Sequence, residues 1–491
     1  MKRFLAVTAV SAACACFVSA QAASNWTTYG GDAQHSGWER TDSAISKEKV
    51  KDLQLLWKMK LENQPRGSRP IMPPLIIGRL ISYRGFKELA IVATGSDMVY
   101  AIDADLGKMF WQKHLEYSTA EPQATGSSCA STAMPTMPPP PAGRGGPGGA
   151  PPAGAGRGGS AFIGGGGPSS IYAISSDGRL HRLNVSTGDD MVQPVSVLPA
   201  NAGAGSLNMA DNVIYTVTNS CNDAPSKVWS IDLSVDSPKI TSFPLEAGEN
   251  GGLAGPVIGA DGTVYVQENR GTGSTLFALS PRELTVKQSF GATTRTPRDD
   301  NTPSPVVFPY QGRDLVVTSD GSSLYLLDSV SSGGADNRTA LYRTPPIATA
   351  GGFASWEDAN GTRWVLASVW GANGSAPNGS IAAFKVEEQN GKTVLTPAWV
   401  SRDMNFPQPP VIANGVVFAL SSGEFNRQMS PKNGTHATLY ALDATTGKEL
   451  YSSRNLVTAP AALTGMTVAN GRVYFGTTDG TFYTFGMYME H

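Results

Sequence analysis

The hydrophobic residues of this chain come in short runs, and turn-forming residues separate one run from the next. Two such runs are Val411–Leu420 and Val468–Gly476, and an Asn-Gly pair divides each of them. Asn-Gly between apolar runs is typical of a tight β-hairpin turn. No long segment carries apolar residues at the 3.6-residue spacing of an amphipathic helix. The pattern therefore predicts an all-β protein built from hairpins.

One phrase within this pattern recurs along the chain. Its clearest copies are Thr438–Tyr451 and Asp97–Trp111, and a weaker copy is Gly178–Asp189. Each copy predicts a strand, a turn closed by Asp and Gly, and a second strand. A unit of this size cannot bury its own faces, so it must stack against copies of itself.

The strand pairs recur at roughly 45 residues, a spacing that fits four short strands per unit. They begin near Pro74, Ser170, Asn208, Pro256, Pro305, Phe353, Pro410 and Ala461. This predicts an eight-bladed β-propeller of four-stranded antiparallel blades, in which radial closure protects the sheet edges. Seven blades remain an alternative, if the unit near Phe353 is an extended loop.

The two ends of the chain predict how the ring closes. The last unit ends before a fourth strand appears, whereas Leu53–Met59 forms an isolated strand before the first unit. We expect this N-terminal strand to complete the last blade and close the ring. Residues 23–62 are then an N-terminal arm with the ring-closing strand, and residues 63–487 are the propeller.

The first residues have the features of an export signal. Lys2 and Arg3 precede the apolar run Phe4–Val18, and Ala20-Gln-Ala22 is a small-x-small cleavage site. Residues 1–22 are therefore predicted to be a signal peptide, which implies a periplasmic or secreted protein. The apolar run is too short for a transmembrane anchor, so no transmembrane segment is expected after its removal.

Composition interrupts the repeat pattern at one place. Met134 to Pro168 is dominated by Pro, Gly and Ala. A segment of this kind cannot bury enough apolar surface to fold by itself. We therefore predict a disordered insertion at residues 134–168, between the first two blades.

Charge and cysteine content restrict the function further. The net charge is −2, which gives no global basic field to hold nucleic acid. Two cysteines, Cys129 and Cys221, remain after removal of the signal peptide. In an exported protein an even pair suggests a disulfide, and reduced thiols are the alternative.

Trp26–Gly37, which contains Tyr-Gly-Gly-Asp, together with the later Leu-x-x-x-Trp that ends at Trp57, carries a specific resemblance. It resembles the N-terminal arm of the quinoprotein dehydrogenases, and the recurring phrase is similar to their repeat. The resemblance implies an eight-bladed propeller, pyrroloquinoline quinone and Ca²⁺ as cofactors, and an alcohol or a sugar as substrate. The adjacent Cys-Cys of that family has no counterpart in this chain.

The resemblance also implies how neighbouring blades contact each other. In that family a Trp near the end of an outer strand packs onto the Ala and Gly of the next repeat. Trp57, Trp111 and Trp399 occupy such positions here, and Gly107 and Gly447 are glycines of the repeat phrase. These residues are expected to be structural.

Two polar segments are candidates for the quinone and metal site that the resemblance implies. Glu268 and Asn269 follow a predicted strand and offer oxygen ligands to a metal ion, and Arg270 is a candidate contact to the quinone. A polar hairpin loop is the alternative for this segment.

The second segment, Arg295–Pro303, resembles the stretch that bears the catalytic Asp of the family. By this resemblance Asp300 is the candidate base, Asp299 and Asn301 are candidate metal ligands, and Arg295 is a candidate quinone contact. A solvated turn is the alternative.

Trp370 is the third candidate, because a Trp followed by Gly near a strand end could place its indole over a flat ring. Ordinary packing between blades is the alternative.

Three functions are compatible with these features. The first is an oxidoreductase that oxidises an alcohol or a sugar with bound quinone and Ca²⁺. The second is a non-catalytic propeller of the same superfamily that binds a periplasmic protein partner. The third is a binder of small molecules or carbohydrates without redox chemistry. Fold by itself does not decide among them.

Overall fold

The computed structural model describes residues 24–62, 71–82, 85–115, 133–139, 169–219, 226–245, 254–270, 273–292, 304–423, 435–462 and 464–487. Their secondary structure is almost entirely β, with two short 3-10 helices at Val50–Asp52 and Gly334–Asp336. The described part of the chain contains no helix that is long and apolar enough to cross a membrane.

The strands form eight sheets arranged as the blades of a propeller. The N-terminal region supplies β1 (Trp38–Glu39) and β2 (Gln54–Lys60). The strands of blades 1 to 4 are β3 (Leu75–Ser82), β4 (Gly85–Ala93), β5 (Met98–Asp103), β6 (Lys108–His114), β7 (Ser170–Ile174), β8 (Arg179–Asn184), β9 (Val195–Ser196), β10 (Asn208–Ala210), β11 (Val213–Thr218), β12 (Lys227–Asp232), β13 (Lys239–Pro244), β14 (Val257–Ile258), β15 (Val264–Arg270), β16 (Gly273–Leu279) and β17 (Val286–Ala292).

The strands of blades 5 to 8 are β18 (Val306–Tyr310), β19 (Arg313–Ser319), β20 (Leu324–Asp328), β21 (Tyr342–Arg343), β22 (Thr349–Glu357), β23 (Arg363–Trp370), β24 (Gly379–Gln389), β25 (Lys392–Val400), β26 (Val411–Ala413), β27 (Val416–Ser421), β28 (Thr438–Asp443), β29 (Glu449–Ser452), β30 (Thr467–Ala469), β31 (Arg472–Gly476) and β32 (Thr481–Gly486). In blades 1 to 6 neighbouring strands of a sheet follow chain order, and the N-terminal strands β1 and β2 join blades 7 and 8. The eight-bladed all-β prediction is confirmed, and the seven-bladed alternative is excluded because β22–β25 form a complete blade.

The N-terminal strand closes the ring, as predicted. β2 pairs antiparallel with β32 over Gln54–Lys60 and supplies the outer strand of blade 8. β1 adds in parallel to β26, at the inner edge of blade 7. The chain therefore joins its beginning to its end within one sheet.

Blade 2 differs from the sequence-based expectation. Its strands β7, β8 and β9 are joined by a bridge between Thr136 and Tyr172, so the segment around Thr136 takes the innermost position. Met134 and Met137 beside it are buried in the apolar core. The sequence predicts that the insertion begins at residue 134, but residues 134–137 are part of blade 2. Of the remaining predicted insertion, residues 140–168 lie outside the described residues and stand between Thr136 and β7 along the chain.

Apolar side chains fill the space between every pair of neighbouring blades. Cores of this kind join blades 2 and 3, 3 and 4, 4 and 5, 5 and 6, and 6 and 7. One larger core runs through blades 7, 8, 1 and 2. Because each sheet buries both faces against its neighbours, the ring is held together by apolar burial all around its circumference.

Three tryptophans fasten one blade to the next, as the repeat implied. The indole N–H of Trp399 in blade 6 donates to the carbonyl of Ala444 in blade 7 at 3.1 Å. Equivalent bonds join Trp57 to Ala104 at 3.0 Å and Trp111 to Val185 at 2.8 Å. Their rings lie against Gly447, Gly107 and Gly188, respectively, at positions where a side chain would collide with the indole.

Candidate functional site

The N-terminal arm runs through the centre of the ring. Main-chain hydrogen bonds join it to the inner strands of five blades, through the pairs Trp26–Ile76, Ala33–Ile258, Gln34–Val307, Ser36–Ser355 and Gly37–Ile412. These contacts belong to blades 1, 4, 5, 6 and 7. We call residues 26–37 the axial plug.

The remaining three blades also contact the arm. The main-chain N–H of Met137 in blade 2 donates to the carbonyl of Thr27 at 3.2 Å. The hydroxyl of Thr28 donates to the carbonyl of Leu207, just before blade 3, at 2.6 Å. In blade 8, Asn470 accepts the main-chain N–H of Ser24 at 2.9 Å. The arm is therefore bonded to the whole ring, which the sequence did not predict.

We call the part of the plug around Tyr29 and His35 its tip. It lies at the end of the ring axis where the innermost strands of the blades begin. A space of about 20 Å³ remains there, lined among others by Tyr29, His35, Phe353 and Met466. This is room for about one water molecule, whereas pockets for small ligands measure about 300–1,000 Å³. A ligand that uses this end of the axis must lie above the plug.

His35 holds the tip in place. Its side chain is 3% exposed, and its φ of 54° is in the left-handed region that His tolerates better than most residues. Nδ1 lies 3.0 Å from the hydroxyl of Ser304, just before β18. Burial lowers the pKa of His35 to about 4, and the charge of Asp32 only partly opposes this effect. The imidazole is therefore neutral at pH 7.

Asn208 of blade 3 supports the same tip. Its side-chain amide donates to the carbonyls of Ala33 and Pro256, both at 2.9 Å. These two bonds use both amide hydrogens, so the 3.4 Å contact to Nε2 of His35 is the weakest of the three. Asn208 thus ties the plug to blades 3 and 4 at once.

The strand directions determine which other residues share this end of the ring. In blade 4, β15 runs toward it and ends with Glu268, Asn269 and Arg270. Ser274 is paired with Asn269 on one side and with Ala292 on the other, so these three residues form one row across the blade. β17 therefore ends at the same level as β15.

Glu268 is buried, with 1% of its surface exposed, and is paired with Thr275 in the sheet. Its neighbour Gln267, which the sequence did not single out, ties blade 4 to blade 5. The amide of Gln267 donates to the carbonyl of Ser319 at 2.5 Å and accepts the hydroxyl of Thr318. Gln267 and Glu268 thus lie within the last residues of β15, where this strand pairs with β16.

Several predicted site residues cannot be compared with the structure. Arg295, Asp299, Asp300 and Asn301 lie outside the described residues, in the connection from β17 to β18. Cys129 and Cys221 also lie outside them, so the disulfide stays a prediction.

Trp370 is at the end of β23 and packs between blades 6 and 7. Its indole N–H donates to the carbonyl of Pro407 at 3.0 Å, and Phe406 meets it edge-on at 5.2 Å between ring centroids. Glu268 belongs to blade 4, so blade 5 separates the two candidates in the ring.

Metal-binding groups are sparse in the described part of the chain. Among those residues, no three His, Cys, Asp or Glu side chains come together in a way that could hold a metal ion. Two of the four predicted metal ligands, Glu268 and Asn269, lie within β15. The other two, Asp299 and Asn301, lie outside the described residues.

A second concave region, which the sequence did not predict, lies at the rim of the ring. It measures about 650 Å³ and lies between blades 4, 5 and 6. β24 and β25 of blade 6 form a hairpin of 11 and 9 residues, whereas β21 of blade 5 has only 2 residues. The sequence signal for this region is the long stretch of strand-forming residues on both sides of the Asn390-Gly391 turn.

Comparisons with solved structures find a similar fold in alcohol and methanol dehydrogenases. The chain is similar to quinohemoprotein alcohol dehydrogenase from Comamonas testosteroni, with 15% identity and a TM-score of 0.60 over 95% of this chain and 81% of that chain. It is similar to quinohemoprotein alcohol dehydrogenase ADHIIG from Pseudomonas putida HK5, with 12% identity and a TM-score of 0.58 over 94% and 80% of the two chains. A europium-containing methanol dehydrogenase gives 12% identity and a TM-score of 0.58 over 94% and 98%.

Sequence comparisons add nothing to this likeness. No protein-family model matches the chain, and no curated protein matches it. Identities of 12–15% establish the shared fold alone. The chain therefore has a quinoprotein-like propeller, and its chemistry must be argued from its own residues.

Proposed function

We propose that this chain is an exported, periplasmic or secreted, quinoprotein-like propeller that binds a small hydroxylated molecule, an alcohol or a sugar, above the axial plug. The ligand site would involve the end of β15 and the connection between β17 and β18. Oxidation of the bound hydroxyl is the reaction proposed for this site.

The proposal rests on where the connection between β17 and β18 begins and where it ends; we call these two points its anchors. β17 ends at Ala292, in one row with Asn269 of β15. The described chain resumes at Ser304, which is bonded to His35 at the plug tip. Both anchors are therefore at the same end of the ring as Glu268. This supports the proposal that Asp300 and its neighbours belong to one site with Glu268.

The cofactors implied by the resemblance are not accounted for by the described residues alone. These residues contain no set of three His, Cys, Asp or Glu side chains that could hold a metal ion, and Trp370 is separated from Glu268 by blade 5. The described residues by themselves therefore do not make up a site for pyrroloquinoline quinone and Ca²⁺, and the other candidates, Asp299, Asp300 and Asn301, lie outside them. In the proposed oxidation a carboxylate such as Asp300 would take the proton of the substrate hydroxyl, and a bound quinone would supply the acceptor for the hydride.

The test uses the full mature chain and three substitutions. Dye-linked oxidation of primary alcohols and aldoses is measured with and without added quinone and Ca²⁺, and ligand binding is measured by calorimetry. Asp300→Asn is expected to lower the oxidation rate by about 100-fold or more, as the loss of a general base does, without lowering the melting temperature. Glu268→Gln tests the buried carboxylate. Asp236→Asn, in an exposed turn of blade 3, is the matched control and should change neither quantity.

The outcomes separate binding from catalysis. Saturable binding of an alcohol or a sugar without dye reduction would keep the site and remove the reaction. If neither the quinone nor any alcohol or sugar binds, the proposal is wrong.

The rim region favours a second, non-catalytic function. Its size is that of a small-ligand site, and it lies away from the axis. A propeller that binds a ligand or a protein segment at its rim would need no redox cofactor.

A further inference from the structure

The concave region at the rim, hereafter the rim cleft, is formed by two walls. One wall is the segment Arg338–Arg343 of blade 5, which leads into and includes β21. The other wall is the tip of the β24–β25 hairpin of blade 6, with Gln389, Asn390 and Lys392. The volume of about 650 Å³ is typical of sites for small molecules.

The rim cleft is cationic, although the chain as a whole carries a net charge of −2. Arg338, Arg343 and Lys392 line it, and none of its described lining residues is acidic. Arg338 and Lys392 are exposed, and neither forms an ion pair with a described residue. By contrast, Arg313 and Arg402 in the same two blades are paired with Asp328 and Glu449, each at 2.7 Å.

An aromatic floor lies beneath these charges. Phe290 of blade 4 and Tyr325 of blade 5 are buried, with ring centroids 5.0 Å apart. The hydroxyl of Tyr325 is used in a 2.8 Å bond to Asp320, which leaves its ring as the contact surface. The guanidinium of Arg343 lies 5.5 Å from the centre of that ring, so the charge is held in place by a cation–π contact.

The hairpin tip adds polar groups to the opposite wall. Asn390 and Gly391 form its two-residue turn, with φ values of 51° and 73°. The side-chain amide of Gln389 donates to Thr396 at 2.9 Å, which braces the tip. Lys392 therefore extends from a short, ordered turn, facing blade 5 across the cleft that both walls line.

We propose that the rim cleft binds a small polyanion whose acidic groups are separated along the molecule. One acidic group would be held by Arg338 and Arg343, and another by Lys392. Cations on two walls of a cleft of about 650 Å³ favour such a ligand over a compact monoanion, because a ligand with two acidic groups can pair with both walls at once. Carboxylate, phosphate and sulfate groups all form strong charge-assisted bonds with these side chains. This proposal uses residues of the cleft that take no part in the proposed reaction above the plug.

Calorimetry on the full mature chain at low ionic strength tests the inference with three probes. These are trigalacturonate as an extended acid sugar, citrate as a compact tricarboxylate, and inorganic phosphate. We expect saturable binding of at least one of the first two, weakened by added salt. Phosphate should bind more weakly than either of them. Which polyanion binds most tightly will identify the source of the acidic groups.

Two variants and one control locate the site. Lys392→Gln and Arg338→Gln should each weaken binding about tenfold or more, because each removes a hydrogen bond to a charged group. Lys51→Gln, at an exposed residue far along the chain from the cleft, removes the same charge and should leave affinity unchanged.

Three results would overturn the inference. The first is that neither citrate nor trigalacturonate binds at about 1 mM. The second is that Lys51→Gln weakens binding as much as Lys392→Gln, which would indicate diffuse attraction only. The third is that phosphate binds as tightly as the extended anions, which would contradict binding by two walls.

Discussion

Replacing Gly447 by alanine probes the contact that fastens blade 6 to blade 7. Gly447 has a φ of +72°, and a Cβ added there would lie 2.5 Å from Cε3 of Trp399 and 2.7 Å from Cδ2. Real atoms do not approach so closely, and the indole cannot retreat without losing its bond to Ala444. The substitution must therefore disturb the interface between the two blades.

Two separate costs add up at this position. An L-residue in the left-handed region costs about 1–2 kcal/mol. Overpacking a filled site costs about 1–3 kcal/mol more. We therefore expect Gly447→Ala to lower the free energy of unfolding by about 2–5 kcal/mol.

Gly361 is a matched control within blade 6. Its φ is +77°, and nothing lies within 4 Å of an added Cβ. Gly361→Ala should thus carry the backbone cost alone, about 1–2 kcal/mol. Urea unfolding followed by circular dichroism gives the two values. In a Trp399→Leu background, which removes the indole, Gly447→Ala should cost no more than Gly361→Ala. Equal costs of the two alanine substitutions in the wild-type background would refute the packing argument.

Two further predictions concern buried titratable groups. Since the pKa of His35 is about 4 when folded and 6.5 when unfolded, the unfolded chain binds more protons between these values. The free energy of unfolding should therefore fall by about 3 kcal/mol as the pH drops from 6.5 to 4. His35→Gln should lack this loss. If the urea midpoints of the wild type and of His35→Gln change in parallel with pH, the prediction is wrong. Arg472 donates to buried Glu88 at 2.8 Å, so Arg472→Met should cost roughly 3–5 kcal/mol at pH 8. Burial raises the pKa of Glu88 to about 7, so Glu88 is protonated at pH 5 and the loss of stability in Arg472→Met should be smaller there. Adding Glu88→Gln to Arg472→Met should restore stability at pH 8. A loss of stability that does not change with pH would exclude an electrostatic origin.

The ring was predictable because its signals are local and repeated. The hairpin turn at Asn470-Gly471 and the Asp-to-Gly turn before Trp111 each specify a strand pair by themselves. The tryptophan contacts could be anticipated because the resemblance implies that a Trp of an outer strand, such as Trp399, packs on a turn glycine of the next unit, such as Gly447. Blade starts at Ser170 and Asn208 coincide with the first residues of β7 and β10.

The innermost position of blade 2 was missed for a physical reason. It consists of a single bridge at Thr136, set in a Pro-rich stretch that shows no alternation of apolar and polar residues. Burial of Met134 there depends on neighbouring blades and the plug, not on its own sequence.

The site was harder to predict than the ring, because its contacts join distant parts of the chain. His35 has no special sequence neighbours, and its role depends on Ser304, 269 residues later. Gln267 looks like any polar residue at a strand end until blade 5 is placed beside it. The rim cleft exists because blade 6 has a long hairpin next to the short outer strand of blade 5. The recurring phrase marks where units lie along the chain and does not show such differences in strand length between blades.

Hydrogen exchange of the intact mature chain, followed by mass spectrometry, tests most directly whether the N-terminal region plugs the axis and closes the ring. The account predicts that the plug amides that donate hydrogen bonds, such as those of Trp26, His35 and Gly37, and the β2 amides that face β32 are strongly protected from exchange, because both sets are hydrogen-bonded in the closed ring. Exchange of the N-terminal amides at the rate of an unstructured peptide, with β32 still protected, would contradict it.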